Sequence, residues 1–286
     1  MAGRKLDTRA IGLDTALALS RWLTGKEHLH YGLWTGLDVA AGNVGRAQDA
    51  YSARLFALFP QRPSLRILDI GGGAGETAKK LIALGHSVEI VIPSPYLAAR
   101  CRANAPQARV HECRFEDLQS AGGFDLCLFS ESFQYIPLDV ALPKARGLLA
   151  PGGEIVIGDC FRREGFRPDP TFYTVGGGHR MEEFRAALAG QPLALLAEED
   201  ITEAVAPSID LEQQLFNVLG TGLAGFDREL AAKRPFQHGL LHRVLRLLLS
   251  ARKRARLGQR LFEQARTSSA FIANNRYLLI KLGQTT

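Results

Sequence analysis

The sequence predicts an α/β fold, a mostly parallel sheet whose strands are joined by crossover helices. Short runs rich in branched apolar residues alternate with segments whose apolar residues recur at helical spacing, the pattern of βαβ units. One junction, Ile67-Leu68-Asp69-Ile70-Gly71-Gly72-Gly73-Ala74-Gly75-Glu76-Thr77, passes from a strand through a glycine-rich turn directly into a helix. A chain of 286 residues suffices for one large α/β domain with an elaboration, or for two small domains.

Residues 8–59 read as helical, with Thr15 to Leu23 and Ala47 to Phe59 carrying apolar residues at i, i+3 and i+4. Between them His28-Leu29-His30-Tyr31-Gly32-Leu33-Trp34-Thr35-Gly36 is loop-like, and Pro60 and Pro63 separate this portion from the first strand, Leu65 to Ile70. A helix over Glu76 to Leu84 follows, then strand two (Val88 to Ile92) and a helix over Pro95 to Ala103. Strand three is Arg109 to Glu112, strand four Phe124 to Phe129, and strand five Glu154 to Asp159 after the turn Leu149-Ala150-Pro151-Gly152-Gly153. A helix near Met181 to Ala189 leads to strand six, Leu193 to Glu198; residues 202–270 are mainly helical, and Arg276 to Leu282 closes the sheet.

The expected architecture is therefore a Rossmann-like, seven-stranded, mostly parallel sheet. An N-terminal helical segment (1–60) precedes the core (61–201). A helical insertion (202–270) precedes the final strand (271–286).

Composition excludes several classes. The N-terminus lacks the apolar stretch and cleavage pattern of a secretory signal, and no apolar run approaches the roughly 20 residues of a membrane span. Cys101, Cys113, Cys127 and Cys160 are scattered, which reads as reduced thiols of a cytoplasmic protein and not as a zinc site or disulfide framework. No carboxylate–histidine group has metal spacing, so no metal is expected. The net charge of +6 is concentrated in Lys233 to Arg266, which holds ten Lys or Arg residues and one acid, Glu263. There an apolar stripe of Leu240, Leu241, Val244, Leu245, Leu248 and Leu249 runs beside basic residues. It suits a packed helix with a solvated basic face, a lid, a membrane-surface element or a nucleic-acid contact.

The glycine turn carries the chemistry. Glycines admit close backbone approach to a ligand, and the free N–H groups of the helix start face it. G-G-G-A-G differs from G-x-G-x-x-G and lacks the lysine and hydroxyl of G-x-x-x-x-G-K-[ST]. It resembles motif I of the class I S-adenosylmethionine (SAM) methyltransferases. The resemblance implies that Asp69 lies near the amino end of the methionine moiety and that Gly71, Gly73 and Gly75 pass beneath the cofactor. Phe124-Asp125-Leu126-Cys127-Leu128-Phe129-Ser130-Glu131-Ser132 resembles the family's fourth strand, whose carboxyl end, with Ser130, faces the reaction centre. Leu148-Leu149-Ala150-Pro151-Gly152-Gly153 resembles the entry to its fifth.

Two positions depart from the family pattern. Ile92 stands where an acid usually holds the ribose hydroxyls, leaving Ser94 or Glu89 for that task. Arg114 replaces the acid of the adenine-side loop, leaving Glu116 or Asp117. His30-Tyr31-Gly32-Leu33-Trp34 resembles the H-Y-G-x-W-like segment of the sterol, tocopherol and cyclopropane-fatty-acid branch, which implies that Tyr31 approaches the sulfonium. The same residues also suit a hydrophobic staple between the N-terminal helices and the sheet.

The implied activity is SAM-dependent methyl transfer to a small, hydrophobic acceptor, at carbon or oxygen ahead of nitrogen, with S-adenosylhomocysteine as product. Glu131, His30 and His179 are the candidate bases, and Tyr135 can orient an acceptor. A catalytically silent protein of the same fold is one alternative. A nucleic-acid methyltransferase is another, although Ser130-Glu131-Ser132-Phe133 stands where N/D-P-P-Y/F is expected and no nucleic-acid module is appended. Oligomeric state and acceptor identity are left open.

Overall fold

The computed structural model describes residues 8–167 and 175–285. They fall into two compact units, one of 8–164, 177–205 and 275–285, the other of 165–167, 175–176 and 206–274.

The first unit is built on seven strands: β1 (Arg66–Ile70), β2 (Ser87–Val91), β3 (Arg109–His111), β4 (Phe124–Ser130), β5 (Leu149–Arg162), β6 (Leu193–Asp200) and β7 (Asn275–Gln284). Their order is β3-β2-β1-β4-β5-β7-β6; the pairs from β3 to β5 are parallel, and β7 runs antiparallel to both neighbours. The expected mostly parallel sheet is therefore present. Strands covered on both faces read as continuous apolar runs, and in β1 only Asp69 interrupts the buried sequence Ile67, Leu68 and Ile70. β1 pairs with β4 although β2 and β3 intervene in the chain. Crossovers change side at such a point, and a crevice opens at the strands' carboxyl ends.

Helices α1 (Thr8–Thr24) and α2 (Val44–Phe56) belong to this unit, as do α3 (Glu76–Ala83), α4 (Pro95–Asn104), α5 (Leu138–Leu148), α6 (Met181–Ala189) and the short α7 (Thr202–Val205). α2 buries Tyr51 and Leu55. At the start of α4 the Ser94 hydroxyl accepts the Leu97 N–H at 3.3 Å, with Pro95 in the first turn where its missing N–H costs nothing. Phe133 packs edge-on against Phe129 and Phe184, with ring centroids 5.2 and 5.9 Å away.

Two elements differ from the sequence expectation. From the sequence no element is assigned between strands four and five, where the structure has α5, with Pro143 inside it. The helix nevertheless forms, since Ala141, Leu142, Ala145 and Leu148 bury one face in the core and outweigh the broken backbone bond. β5 begins at Leu149, so the expected turn becomes its irregular first stretch, with a register shift opposite Phe124 and Leu126.

The second unit consists of α8 (Pro207–Lys233), α9 (Pro235–Leu248), α10 (Ala251–Phe262) and α11 (Ser268–Asn274), with the described ends of the 165–176 segment. Within it Arg260 stacks over the Phe216 ring at 3.9 Å and Arg266 pairs with Glu212 at 2.6 Å. α9 and α10 contain no fully buried residue. No described helix is long and apolar enough to cross a membrane.

Candidate active site

A cavity of about 690 Å³ opens at the carboxyl ends of β1, β2 and β4, a size typical of small-molecule sites. Its floor is the turn after β1, and Glu27, His28, Leu29 and His30, from the loop between α1 and α2, also line it. Asp69 is fully buried beneath the turn and lines the cavity, and neither carboxylate oxygen has a hydrogen-bond partner among the described residues. Burial raises its pKa to about 7. An unpaired carboxylate out of water is unfavourable, and a cationic ligand group relieves it.

The turn is tied down by its own backbone. Gly71 N–H donates to the Val91 carbonyl (2.8 Å), Gly73 N–H to Gly71 (2.7 Å) and Gly75 N–H to Gly72 (2.9 Å). Gly71 and Gly75 take φ of 76° and 86°. A Cβ at Gly71 would collide with Ser132, and one at Gly75 would sit 2.9 Å from the Cα of Cys101 on α4. Gly75 thus lets α3 pack against α4 and does not itself line the cavity, whereas Gly73 does, with only Leu29 Cδ1 near its missing Cβ, at 3.8 Å.

On the expected ribose side, Ile92 and Ser94 both line the cavity. Ser94 accepts from the α4 backbone and so keeps its O–H to donate. Glu89 is corrected out of this role: it is held by Arg66 at 3.0 Å and His111 at 2.7 Å, outside the lining. On the adenine side Glu116 lines the cavity, clamped by Arg114 at 2.8 Å, while Asp117 lies outside it.

Ser130, Glu131 and Tyr135 line the opposite wall. Glu131 has a φ of 56°, the one left-handed non-glycine residue among those described, and its N–H donates to the Gly158 carbonyl at 2.8 Å. Its Oε1 accepts the Tyr31 N–H at 2.7 Å and the Tyr277 hydroxyl at 2.8 Å. The Tyr277 hydroxyl also lies 2.9 Å from that of Tyr51. The Tyr51 hydroxyl in turn donates to the Gly158 carbonyl, at 3.4 Å. Burial lifts the Glu131 carboxyl to about 8, against the two donors that lower it. Tyr31 reaches this site through its backbone; its ring packs on Tyr277, 6.2 Å between centroids, and is not part of the lining.

The two histidine candidates are placed differently. His30 lines the cavity, but Nδ1 meets the Tyr31 carbonyl at 2.8 Å and Nε2 meets His28 Nδ1 at 3.1 Å. Burial lowers its pKa to about 4 and that of His28 to about 2, so both rings are neutral near pH 7. His179 is not brought to the cavity. Its Nε2 lies 3.1 and 3.0 Å from the Phe133 and Ile136 carbonyls, which requires a proton there and makes the ring a strap on the loop after β4.

Sequence reasoning missed Glu27. It is buried at the rim, held by a bidentate Arg100 (2.8 and 2.7 Å) and by Asn104 (2.8 Å). The fork fixes the N-terminal loop to α4; no local pattern marks a single acid that is buried only by a partner 73 positions away.

Residues 67–153 match a sequence-family model described as a methyltransferase domain. Among solved structures, the chain is similar to the [4+2]-cyclase SpnF, at 16% identity over 97% of this chain and 95% of that one, TM-score 0.66. It is similar to the geranyl diphosphate C-methyltransferase of Streptomyces coelicolor A3(2), solved with Mg2+, geranyl-S-thiolodiphosphate and S-adenosyl-L-homocysteine. Identity there is 17% over 94% and 92% of the two chains, TM-score 0.64. The cyclopropane synthase MmaA2 of Mycobacterium tuberculosis gives 16% over 92% of each chain, TM-score 0.62. At these identities the likenesses establish the fold; the family match marks residues 67–153 as similar to a methyltransferase domain. The residues present fit a cofactor with a cationic end, since Asp69 is buried without a hydrogen-bond partner and Gly73 leaves open space above the turn.

Proposed function

We propose that this SAM-dependent methyltransferase methylates a small, hydrophobic acceptor at carbon or oxygen, with Glu131 taking up the acceptor's proton. Asp69 carries the cofactor half of the reading: a fully buried carboxylate without a partner, under a glycine turn that lines the cavity. Gly71 and Gly73 would support the methionine end, Ser94 would donate to the ribose in place of the missing acid, and Glu116 would face the adenine amine.

Bound SAM supplies a sulfonium whose methyl is displaced in line by an acceptor lone pair or carbanion. The protein's part is alignment and exclusion of water. Apolar lining from Leu29, Ile136 and Pro137 supports a hydrophobic acceptor. An acceptor that must lose a proton finds Glu131 at the wall, oriented by Tyr31 and Tyr277, with a pKa near 8 that suits a base working around neutrality. His30 is less suited, since both ring nitrogens are committed.

Peripheral contact with anionic lipid is supported by exposed Phe236, Leu240, Leu247 and Leu248 on α9, next in the chain to the basic helix α10.

The deciding experiment is calorimetric titration of ligand-stripped protein with SAM and S-adenosylhomocysteine, followed by methyl-transfer assays on lipophilic phenols, enols and prenylated compounds. Micromolar binding of both cofactors and turnover of an apolar acceptor are expected. Absence of binding to folded protein would overturn the cofactor assignment; binding with turnover confined to polar amines would overturn the acceptor class.

A further inference from the structure

We propose that Asp227 on α8 and His238 and His242 on α9 form a binding site for a zinc-class divalent transition metal, which ties the two helices of the insertion together. His238 and His242 are four residues apart on one helix and so share a face. Their Nε2 atoms lie 3.1 and 2.8 Å from Asp227 Oδ1, and their rings are 4.3 Å apart. All three ligand atoms lie within 4.8 Å of one another.

Two imidazoles and a carboxylate are a donor set for zinc and its neighbours, not for the hard cations magnesium and calcium. Tetrahedral bonds of about 2.0–2.1 Å place ligand atoms about 3.3 Å apart. The observed oxygen–nitrogen separations are hydrogen-bond lengths only slightly shorter. A metal can therefore replace the two shared protons with small side-chain shifts, each imidazole carrying its proton on Nδ1 and binding through Nε2. The three side chains are between a quarter and a half exposed, which leaves room for water as the fourth ligand.

The sequence offers the histidine spacing, but not the carboxylate, because Asp227 lies across the turn at Lys233 and Arg234. The basic character of the insertion opposes a cation and weakens its binding.

The test uses the full chain without a polyhistidine tag, and Zn2+ titrated in competition with a chromophoric chelator. One site of micromolar or tighter affinity is expected, weakened about 100-fold or more by His242→Ala and by Asp227→Asn. Hydrogen exchange should slow across 227–242 when Zn2+ is added. Failure to bind at micromolar Zn2+, or binding that both variants retain, would overturn the site. Binding without added protection would overturn its role as a tie. Circular dichroism checks that the variants fold, and neither substitution touches the SAM cavity.

Discussion

The hydroxyl of Tyr277, on the last strand of the sheet, lies 2.8 Å from Oε1 of Glu131, 146 residues earlier in the chain. Thr202 sets this up, its hydroxyl accepting the Tyr277 N–H at 2.8 Å while its own N–H is held by Asp200 at 2.9 Å. The segment after β6 thereby positions a residue of the proposed proton path.

That pairing makes the rate depend on pH in a defined direction. Glu131 must be ionised to accept a proton, and burial lifts its pKa to about 8, so turnover should rise with pH through that region. Tyr277→Phe removes a donor that favours the carboxylate and should move the midpoint higher. Glu131→Gln should lower kcat by about 10²–10⁴-fold with little change in SAM affinity. A rate profile unchanged in Tyr277→Phe would remove the tyrosine from the path.

Asp69 gives two readouts of opposite sign. A carboxyl whose pKa rises from 3.8 to about 7 on folding holds its proton more tightly when folded. The stability this contributes is present at low pH and is lost as pH climbs to about 7. Asp69→Asn should therefore stabilise the ligand-free protein at pH 8 more than at pH 5, measured by urea midpoints. The same substitution should weaken SAM binding at least about tenfold by removing a charge partner. In the parent protein, SAM affinity should fall below pH 7, since binding must then expel the Asp69 proton.

Two glycines of one turn should separate stability from binding. Gly75→Ala forces a left-handed alanine against Cys101 and should lower stability by about 1–3 kcal/mol. Gly73→Ala shares the left-handed strain, at φ 55°, but meets only Leu29 Cδ1 at 3.8 Å, so it should cost less stability than Gly75→Ala while weakening SAM binding at the floor it lines. Thermal melts and calorimetry on both variants distinguish the two effects.

Replacing Arg252, Lys253 and Arg254 together with Gln should reduce binding to anionic liposomes by roughly 1 kcal/mol per charge while leaving SAM binding intact. A parent protein that ignores such liposomes would dispose of lipid contact.

Local pattern made the core legible: β1, the glycine turn and α3 are written in consecutive residues, and Asp69 is conspicuous as the one acid in an apolar strand. What escaped were features created by distant partners. α5, which carries Pro143 inside it, is held by burial of Ala141, Leu142, Ala145 and Leu148 in the core. His179 reads as a candidate base until two carbonyls of the loop after β4 claim its nitrogen. The Asp227–His238–His242 cluster is invisible along the chain for the same reason, since Asp227 meets the two histidines only after α9 folds back on α8.

The placement of β7 between β5 and β6 also bears on biosynthesis. On the ribosome, β1 to β5 can pair as they emerge, but β6 has no neighbour in the sheet until the whole helical insertion has been made and β7 arrives. Until then Glu131 lacks Tyr277, so the cofactor floor can form on the nascent chain while the proton path closes only as the last strand slots in. A chain stalled within the insertion would present an unpaired β6, an exposed edge for chaperones to shield.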